Sequence, residues 1–384
     1  MPGNIITAAA TLLGLASGAL AADNTTFDCT FSGPDGYLQI SQAKNSCSNI
    51  VLDSLEIPGG VTLNLEKLND GTTVTFQGRT TWAYAEWEGS LFSISGNNIT
   101  IKGAPGHVLD GQGALWWDGL GGGGGVTKPK FFKANNLNDS VLDSINIQNA
   151  PKNFYSINYV NNLLVKDIVC NNSAGNELNA DGRTLGHNTD AFDINNADGV
   201  IIQNARVWNQ DDCVAVNSGQ NVIFKDALCS GGHGGSIGSV GGVSTILVPS
   251  RFPRTNNIVN NITFENVHFK DSQQSVRIKT IANATGSVSD ITYRNIVIDS
   301  TADNADYGII VSQSYNGVKG QPTNGVSIKN FVLQNVTGTV YKDAVNVYIE
   351  CGEGSCSDWT WTGVNVSGGK KATNCQNVPQ GISC

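Results

Sequence analysis

The chain has 384 residues, only 14% of them charged, with a net charge of −9 and a pI near 4.9. So acidic a protein is a poor match for nucleic acid, and it repels other polyanions at long range unless the contact surface is locally basic. Beyond the first residues no apolar stretch is long enough to cross a bilayer as a helix, so neither nucleic acid nor a membrane is expected as a partner.

From the N-terminus, Asn4 to Leu20 are apolar or small and uncharged, and Ala19-Leu20-Ala21 offers small residues at the positions a signal peptidase reads. Residues 1–21 are expected to be a secretory signal, although no Lys or Arg precedes the apolar run; a short pro-segment can follow it. Residues 22–384 are expected to form one domain: the length invites two, but no linker is visible. The nine cysteines fit an oxidising, extracellular compartment. Eight lie in close pairs, Cys29/Cys47, Cys213/Cys229, Cys351/Cys356 and Cys375/Cys384, and local pairing gives four short loops. Cys170 is left over in an apolar run and is expected to be a buried free thiol. With no C-x-x-C or H-x-x-x-H spacing, no metal site is expected. Sequons stand at Asn24, Asn98, Asn138, Asn171, Asn261, Asn283, Asn335 and Asn365.

A unit recurs from residue 98 onward: a polar turn, a few alternating apolar residues, an Asn or Asp, then a second short apolar run. Asn162-Leu163-Leu164-Val165-Lys166-Asp167-Ile168-Val169 is one example, and 98–102, 140–147, 199–207, 221–228, 261–269, 290–298 and 325–333 are others. Period-two alternation of β-branched residues indicates strands, and the central Asn or Asp suits a bend in the left-handed backbone region. No amphipathic helix lies between units, which argues against a βαβ fold. Stacked coils, an all-β solenoid of the parallel β-helix kind, account for the repeat and for the 45 glycines. The Cys29/Cys47 region with Leu38 and Ile40 is expected to cap one end, and the tail from Cys351 to Cys384 the other. The loop Gly119 to Gly125 is expected at the edge of a groove; Trp116, Trp117, Phe131 and Phe132 beside it either stack on a ligand or pack inward.

In so weakly charged a chain, three motifs concentrate acid–base groups: Asn188-Thr189-Asp190, Gln210-Asp211-Asp212-Cys213 and Gly231-Gly232-His233-Gly234-Gly235. Hydrolysis of a glycosidic bond calls for one protonated and one ionised carboxyl, and crowding of Asp190, Asp211 and Asp212 raises at least one pKa. Adjacent residues of a strand face opposite ways, so Asp211 and Asp212 reach one groove only if the chain breaks near Asn209-Gln210. Arg277-Ile278-Lys279 places two cations on one strand face, where they suit the carboxylates of a uronic-acid polymer.

These four motifs occur in the order and spacing of the fungal endopolygalacturonases of glycoside hydrolase family 28, which the chain resembles from the cap to the tail. Residues 185–194 and 229–242, Cys356-Ser357-Asp358-Trp359-Thr360-Trp361 and Asn377-Val378-Pro379 extend the likeness. The resemblance implies a right-handed parallel β-helix and an inverting, endo-acting hydrolysis of α-1,4-linked galacturonan by a secreted enzyme. It implies no metal or organic cofactor, and we expect a monomer. It assigns Asp211 as general acid, Asp190 and Asp212 as the pair that activates water, and His233 as support for the acid. Arg277 and Lys279 become the carboxylate-binding pair on the leaving-group side, and Tyr315 a substrate contact. The chain departs from the pattern at the apolar stretch 243–254, which can reshape the groove rim, and at Gly235, where a bulkier residue is expected and looser packing would follow. An exo-acting enzyme, a calcium-dependent pectate lyase and a non-catalytic β-helix binding protein stay open as alternatives.

Overall fold

The computed structural model describes residues 29–241 and 257–384. The expected signal 1–21, the sequon at Asn24 and the segment 243–254 lie outside the described residues. Among these residues 27 strands join in one continuous system, and every registered strand pair is parallel. The chain winds as a right-handed parallel β-helix, each coil hydrogen-bonded to the next.

Alternation makes the coils stack. In Phe192–Asn195, Phe192 and Ile194 are fully buried while Asp193 points the other way, toward the groove. Inside, rings repeat coil after coil, from Phe76 through Phe92, Phe132, Tyr155, Phe192, Phe224, Phe264 and Tyr293 to Phe331. Phe264 and Tyr293 stack at 4.3 Å with an interplanar angle of 4°.

The bends are made as the repeat predicts. Asp167, Asn204, Asp226, Asn266, Asn295 and Asn335 all take φ between 54° and 57°. At each such corner the side chain of one coil bonds that of the next. Asn204 donates to Asp167 at 2.6 Å, Asn266 to Asp226 at 2.9 Å, and Asn335 to Asn295 at 3.1 Å. These residues tolerate the left-handed region and satisfy one another's amides, which explains why asparagine recurs there.

The helix Gly36–Ala43 covers the N-terminal end. Only Ile40 of the expected pair faces the core, at 1% exposure; Leu38 is 55% exposed, because the helix lies flat and its far side meets solvent. At the other end, after the strand Thr360–Ser367, Val378, Ile382 and Cys384 pack against the core. All four expected disulfides are present: Cys29–Cys47, Cys213–Cys229, Cys351–Cys356 and Cys375–Cys384. Cys170 is buried and free. Cys47 is buried where the chain leads into the strand Asn49–Ile57, while Cys29, at the other end of the bridge, is only partly buried. The bridge therefore anchors the cap helix to the first coil and takes no part in the groove. The four aromatics beside the glycine loop turn inward. Trp116, Trp117, Phe131 and Phe132 are buried, and the two indoles donate to the carbonyls of Ala85 and Ala150. Their ring area is too large to leave in water when a core site is open.

Candidate active site

One ladder of strands carries the site. Phe192 pairs with Val214, Val214 with Gly235, and Gly235 with Val276. Asp190, Asp212 and His233 each stand two residues before these partners, so three motifs distant in the chain occupy equivalent positions of successive coils. Asp193, Ala215, Ser236 and Arg277 form the next row. Of this row Asp193, Ala215 and Arg277, together with Asp211, Lys279 and Tyr315, line a cavity of about 360 Å³.

The adjacent aspartates both enter the groove because residues 209–212 are not strand. Asn209 holds this turn: its Nδ2 lies 3.0, 2.8 and 3.0 Å from the carbonyls of Thr189, Asp211 and Asp212. Thr189 and Gln210 exchange two hydrogen bonds, at 2.9 and 2.8 Å, locking the Asp190 coil to the next. The disulfide Cys213–Cys229 then ties the aspartate turn to the coil wall leading to His233. Of the four bridges it alone lies beside the groove's acid–base motifs; Cys29–Cys47 belongs to the first coil, and the two others to the C-terminal part of the chain.

The glycines around His233 are sterically required. A Cβ on Gly232 would stand 2.2 Å from the Asp211 carbonyl, and one on Gly234, at φ 74°, 2.2 Å from the Gln274 carbonyl. This close approach lets the His233 amide donate to the Asp211 carbonyl at 2.8 Å while its ring Nδ1 lies 2.9 Å from Asp211 Oδ1. Gly235 does not loosen the packing. The place of its missing side chain is filled by Phe264 and Phe269, each 2.9 Å from where a Cβ would be.

Asp212 is the electrostatic centre. Lys279 Nζ lies 2.6 Å from Oδ2, Ser236 donates to Oδ1 at 2.6 Å, and Arg277 reaches Oδ1 at 3.5 Å. Lys279, 6% exposed, points into the groove as Arg277 does, with Ile278 turned to the core. Both cations stand over the Tyr315 ring, at 5.6 Å for Arg277 and 5.3 Å for Lys279. Asp211, Asp212 and His233 offer ligand atoms within 4.8 Å of one another, but an ammonium already sits against Asp212 where a cation would have to bind.

Burial pushes the Asp190 carboxyl well above the usual range, and Asp211, Asp193 and Asp212 add to the rise. Burial also pushes Asp211 up, but His233, Lys279 and the Asp212 amide outweigh it and hold this carboxyl below the usual range. The site thus separates a carboxyl that keeps its proton from one that is ionised, as acid–base chemistry requires.

Several partners escape a motif reading. Asp193 is raised to about 6, and Asn153 donates to it at 2.6 Å and to Asp190 at 3.1 Å. Its signal was the alternation Phe192-Asp193-Ile194, which puts the aspartate on the outward face. Buried Glu350 accepts from Ser312, Ser314, Tyr348 and the Gly320 amide, fixing the turn that carries Tyr315. The glycine loop does border the site: Lys128 pairs with Asp118 at 2.8 Å inside it, and the Gly122 amide donates to Asn188 Oδ1 at 2.9 Å. Asn188 in turn donates to Asp211 Oδ2 at 3.0 Å.

A model of the glycosyl hydrolases family 28 matches residues 47–384. Endopolygalacturonase I of Aspergillus aculeatus is 51% identical over 356 residues, 93% of this chain and 89% of its own length. Endopolygalacturonase A of Aspergillus niger is 49% identical over 358 residues, 93% of this chain and 90% of its own length. Among solved structures, endopolygalacturonase I from Stereum purpureum, complexed with two galacturonate, matches with a TM-score of 0.76 at 34% identity, covering 89% of this chain and 95% of that one.

Proposed function

This chain belongs to the glycosyl hydrolases family 28, and we propose that it is an endo-acting polygalacturonase, cleaving α-1,4-galacturonosidic bonds of pectic galacturonan. The observation that carries the reading is one groove in which crowded carboxylates face Arg277 and Lys279, hydrolytic groups beside groups that bind a sugar acid. The domain spans residues 22–384 and acts outside the cell as a monomer; four disulfides and the uncharged apolar N-terminus support export.

In this mechanism Asp211 donates a proton to the glycosidic oxygen as the bond to the anomeric carbon breaks. Asp190 and Asp212 take a proton from the water that attacks that carbon from the opposite face, so the product inverts. His233 Nδ1 lies 2.9 Å from Asp211 Oδ1 and orients that carboxyl, and an incoming uronate anion, with water expelled, favours the protonated form of Asp211 that donates to the glycosidic oxygen. Arg277 and Lys279 bind the uronate carboxylate of the leaving portion, and Tyr315 packs against that sugar. One observation favours a second arrangement: Asp190, not Asp211, is the carboxyl that burial keeps protonated, so Asp190 would be the donor and Asp211 the base.

Two measurements test this. On unesterified polygalacturonate, a ladder of oligomers in the first minutes and an inverted anomer by NMR support the reading. Monomer from the start indicates exo action, and an unsaturated product that disappears on chelation indicates a calcium-dependent lyase. Galacturonan bound without turnover indicates a binding protein. To assign the donor, Asp211→Asn and Asp190→Asn are compared on a galacturonide whose aryl leaving group needs no proton: the variant that lost the acid recovers rate there, and the one that lost the base does not.

A further inference from the structure

We propose that Glu350 and Gln376 are positioning residues of the groove: together they clamp the turn 314–320 and so hold Tyr315 under Arg277 and Lys279, without touching the sugar themselves. The inference rests on the reading of Tyr315 as a contact for the sugar on the leaving-group side, and it gives the C-terminal tail a part in substrate binding.

The strand register leads from the cations to the clamp. Lys279 pairs with Ser312, Ser312 with Glu350, and Glu350 forms a parallel bridge with Gln376, so these residues occupy one row on successive passes of the chain. The row begins in the groove and ends in the tail, about 14 Å from Lys279.

Glu350 is buried, and its carboxyl gathers donors from both ends of the turn. Oε1 accepts from the hydroxyls of Ser312 and Ser314. Oε2 accepts from the Tyr348 hydroxyl at 3.0 Å and from the Gly320 amide at 3.1 Å. The tail adds a second hold at the Gly320 end, where Gln376 Nε2 donates to the Gly320 carbonyl at 2.8 Å. Gln376 is itself seated on the strand Val345–Glu350. Its amide donates to the Ile349 carbonyl at 2.9 Å, and its carbonyl accepts from the Cys351 amide at 3.1 Å. Asn377 donates to the Cys351 carbonyl at 2.7 Å, and the Cys375–Cys384 disulfide closes the tail beside Gln376.

Tyr315 lies between these anchors. Its carbonyl accepts from the Ala282 amide at 2.9 Å, which fixes the level of the turn against the preceding coil. The pitch of the turn, and with it the place of the ring 5.6 Å from Arg277 and 5.3 Å from Lys279, follows from where Ser314 and Gly320 are held. Removing the Glu350 carboxyl strands its donors and frees both ends together. A glutamine can take its place, because its amide donates to the serine hydroxyls while its carbonyl still accepts from Gly320 and Tyr348; a leucine can do neither.

The test is steady-state kinetics on polygalacturonate for the full enzyme and for Glu350→Leu, Glu350→Gln and Gln376→Ala, each alone and combined with Tyr315→Ala. Glu350→Leu should raise KM about fivefold, the scale of one lost hydrogen bond, and leave kcat within about twofold, because the acid–base groups stay in place. Gln376→Ala should raise KM about twofold, and Glu350→Gln should recover most of what the leucine loses. In the Tyr315→Ala background neither Glu350→Leu nor Gln376→Ala should raise KM further, because the residue through which they act is gone. Equal fold losses with and without Tyr315 would overturn the proposal, as would an unchanged KM in both single variants. If Tyr315→Ala alone leaves KM unchanged, the reading of Tyr315 as a sugar contact fails first, and the proposal falls with it. Gln376 is only half-buried, so its cycle with Tyr315 decides the question even where Glu350→Leu does not fold.

Discussion

Replacing Asp193 by asparagine isolates what it costs to crowd carboxylates in this groove. Asp193 is 8% exposed, and burial raises its carboxyl from 3.8 to about 6; Asp212 and Asp211 add to the rise, and Lys130 opposes it. The native state therefore binds a proton more tightly here than the unfolded chain does. Between about pH 4 and 6 the unfolded state ionises first, so this group's contribution to stability falls as pH rises. The gap corresponds to about 3 kcal/mol, lost in full by pH 7. At roughly 0.8 kcal/mol per kelvin for the melting entropy of a chain this long, that is about 4 °C. Asp211 is shifted the opposite way, so its contribution is lost as pH falls; it is present in both proteins and largely cancels in their difference. Asp190 shares Asn153 with Asp193, and the substitution removes one source of its elevation as well. Calorimetry from pH 4 to 7 should show Asp193→Asn gaining about 4 °C on the wild type across that range. Parallel curves would refute the idea that Asp193 carries a strained proton.

Other parts of the site make independent predictions. Lys279→Met leaves buried Asp212 with the Ser236 hydroxyl and the more distant Arg277 cation at 3.5 Å, and should cost about 3–5 kcal/mol by chemical denaturation; adding Asp212→Asn should restore stability without restoring turnover. Lys128→Met removes the partner of Asp118 inside the glycine loop, so hydrogen exchange at the Gly122 amide should rise and kcat should fall about fivefold as Asn188 loses its anchor. Exchange unchanged at Gly122 would show that the loop does not depend on the pair. Gly235→Leu should destabilise by about 1–3 kcal/mol, because Phe264 and Phe269 occupy its space; a neutral or stabilising effect in urea melts would mean the core there is loose.

The fold could be read from the sequence because its rule is local. Each coil repeats a period-two strand and an Asn or Asp bend, and the φ values near +55° at Asp167, Asn204 and Asn266 are those that such residues tolerate. The motifs of the candidate site were visible because charge is scarce and because glycine recurs around His233, where the structure shows that any Cβ would clash. What was not legible depended on register between coils. Nothing in the sequence says that Asn153 lies beside Asp190 and Asp193, or that Ser236 meets Asp212. Close spacing was enough to pair Cys29 with Cys47, but not to show that Cys47 sits in the core while Cys29 stays near the surface. The aromatics near the glycine loop were ambiguous because exposure depends on which way the following strand turns; Trp116 and Trp117 settle inward by finding the carbonyls of Ala85 and Ala150.

A crystal structure of Asp211→Asn with a bound hexagalacturonate addresses the central claim most directly. The sugar chain should lie along the ladder that runs through Asp193 and Arg277. One glycosidic oxygen should be within hydrogen-bonding distance of residue 211, and the carboxylate of the next sugar should lie on Arg277 and Lys279. A ligand bound on another face of the β-helix, or one crossing the groove with no glycosidic oxygen near residues 190, 211 and 212, would contradict the account.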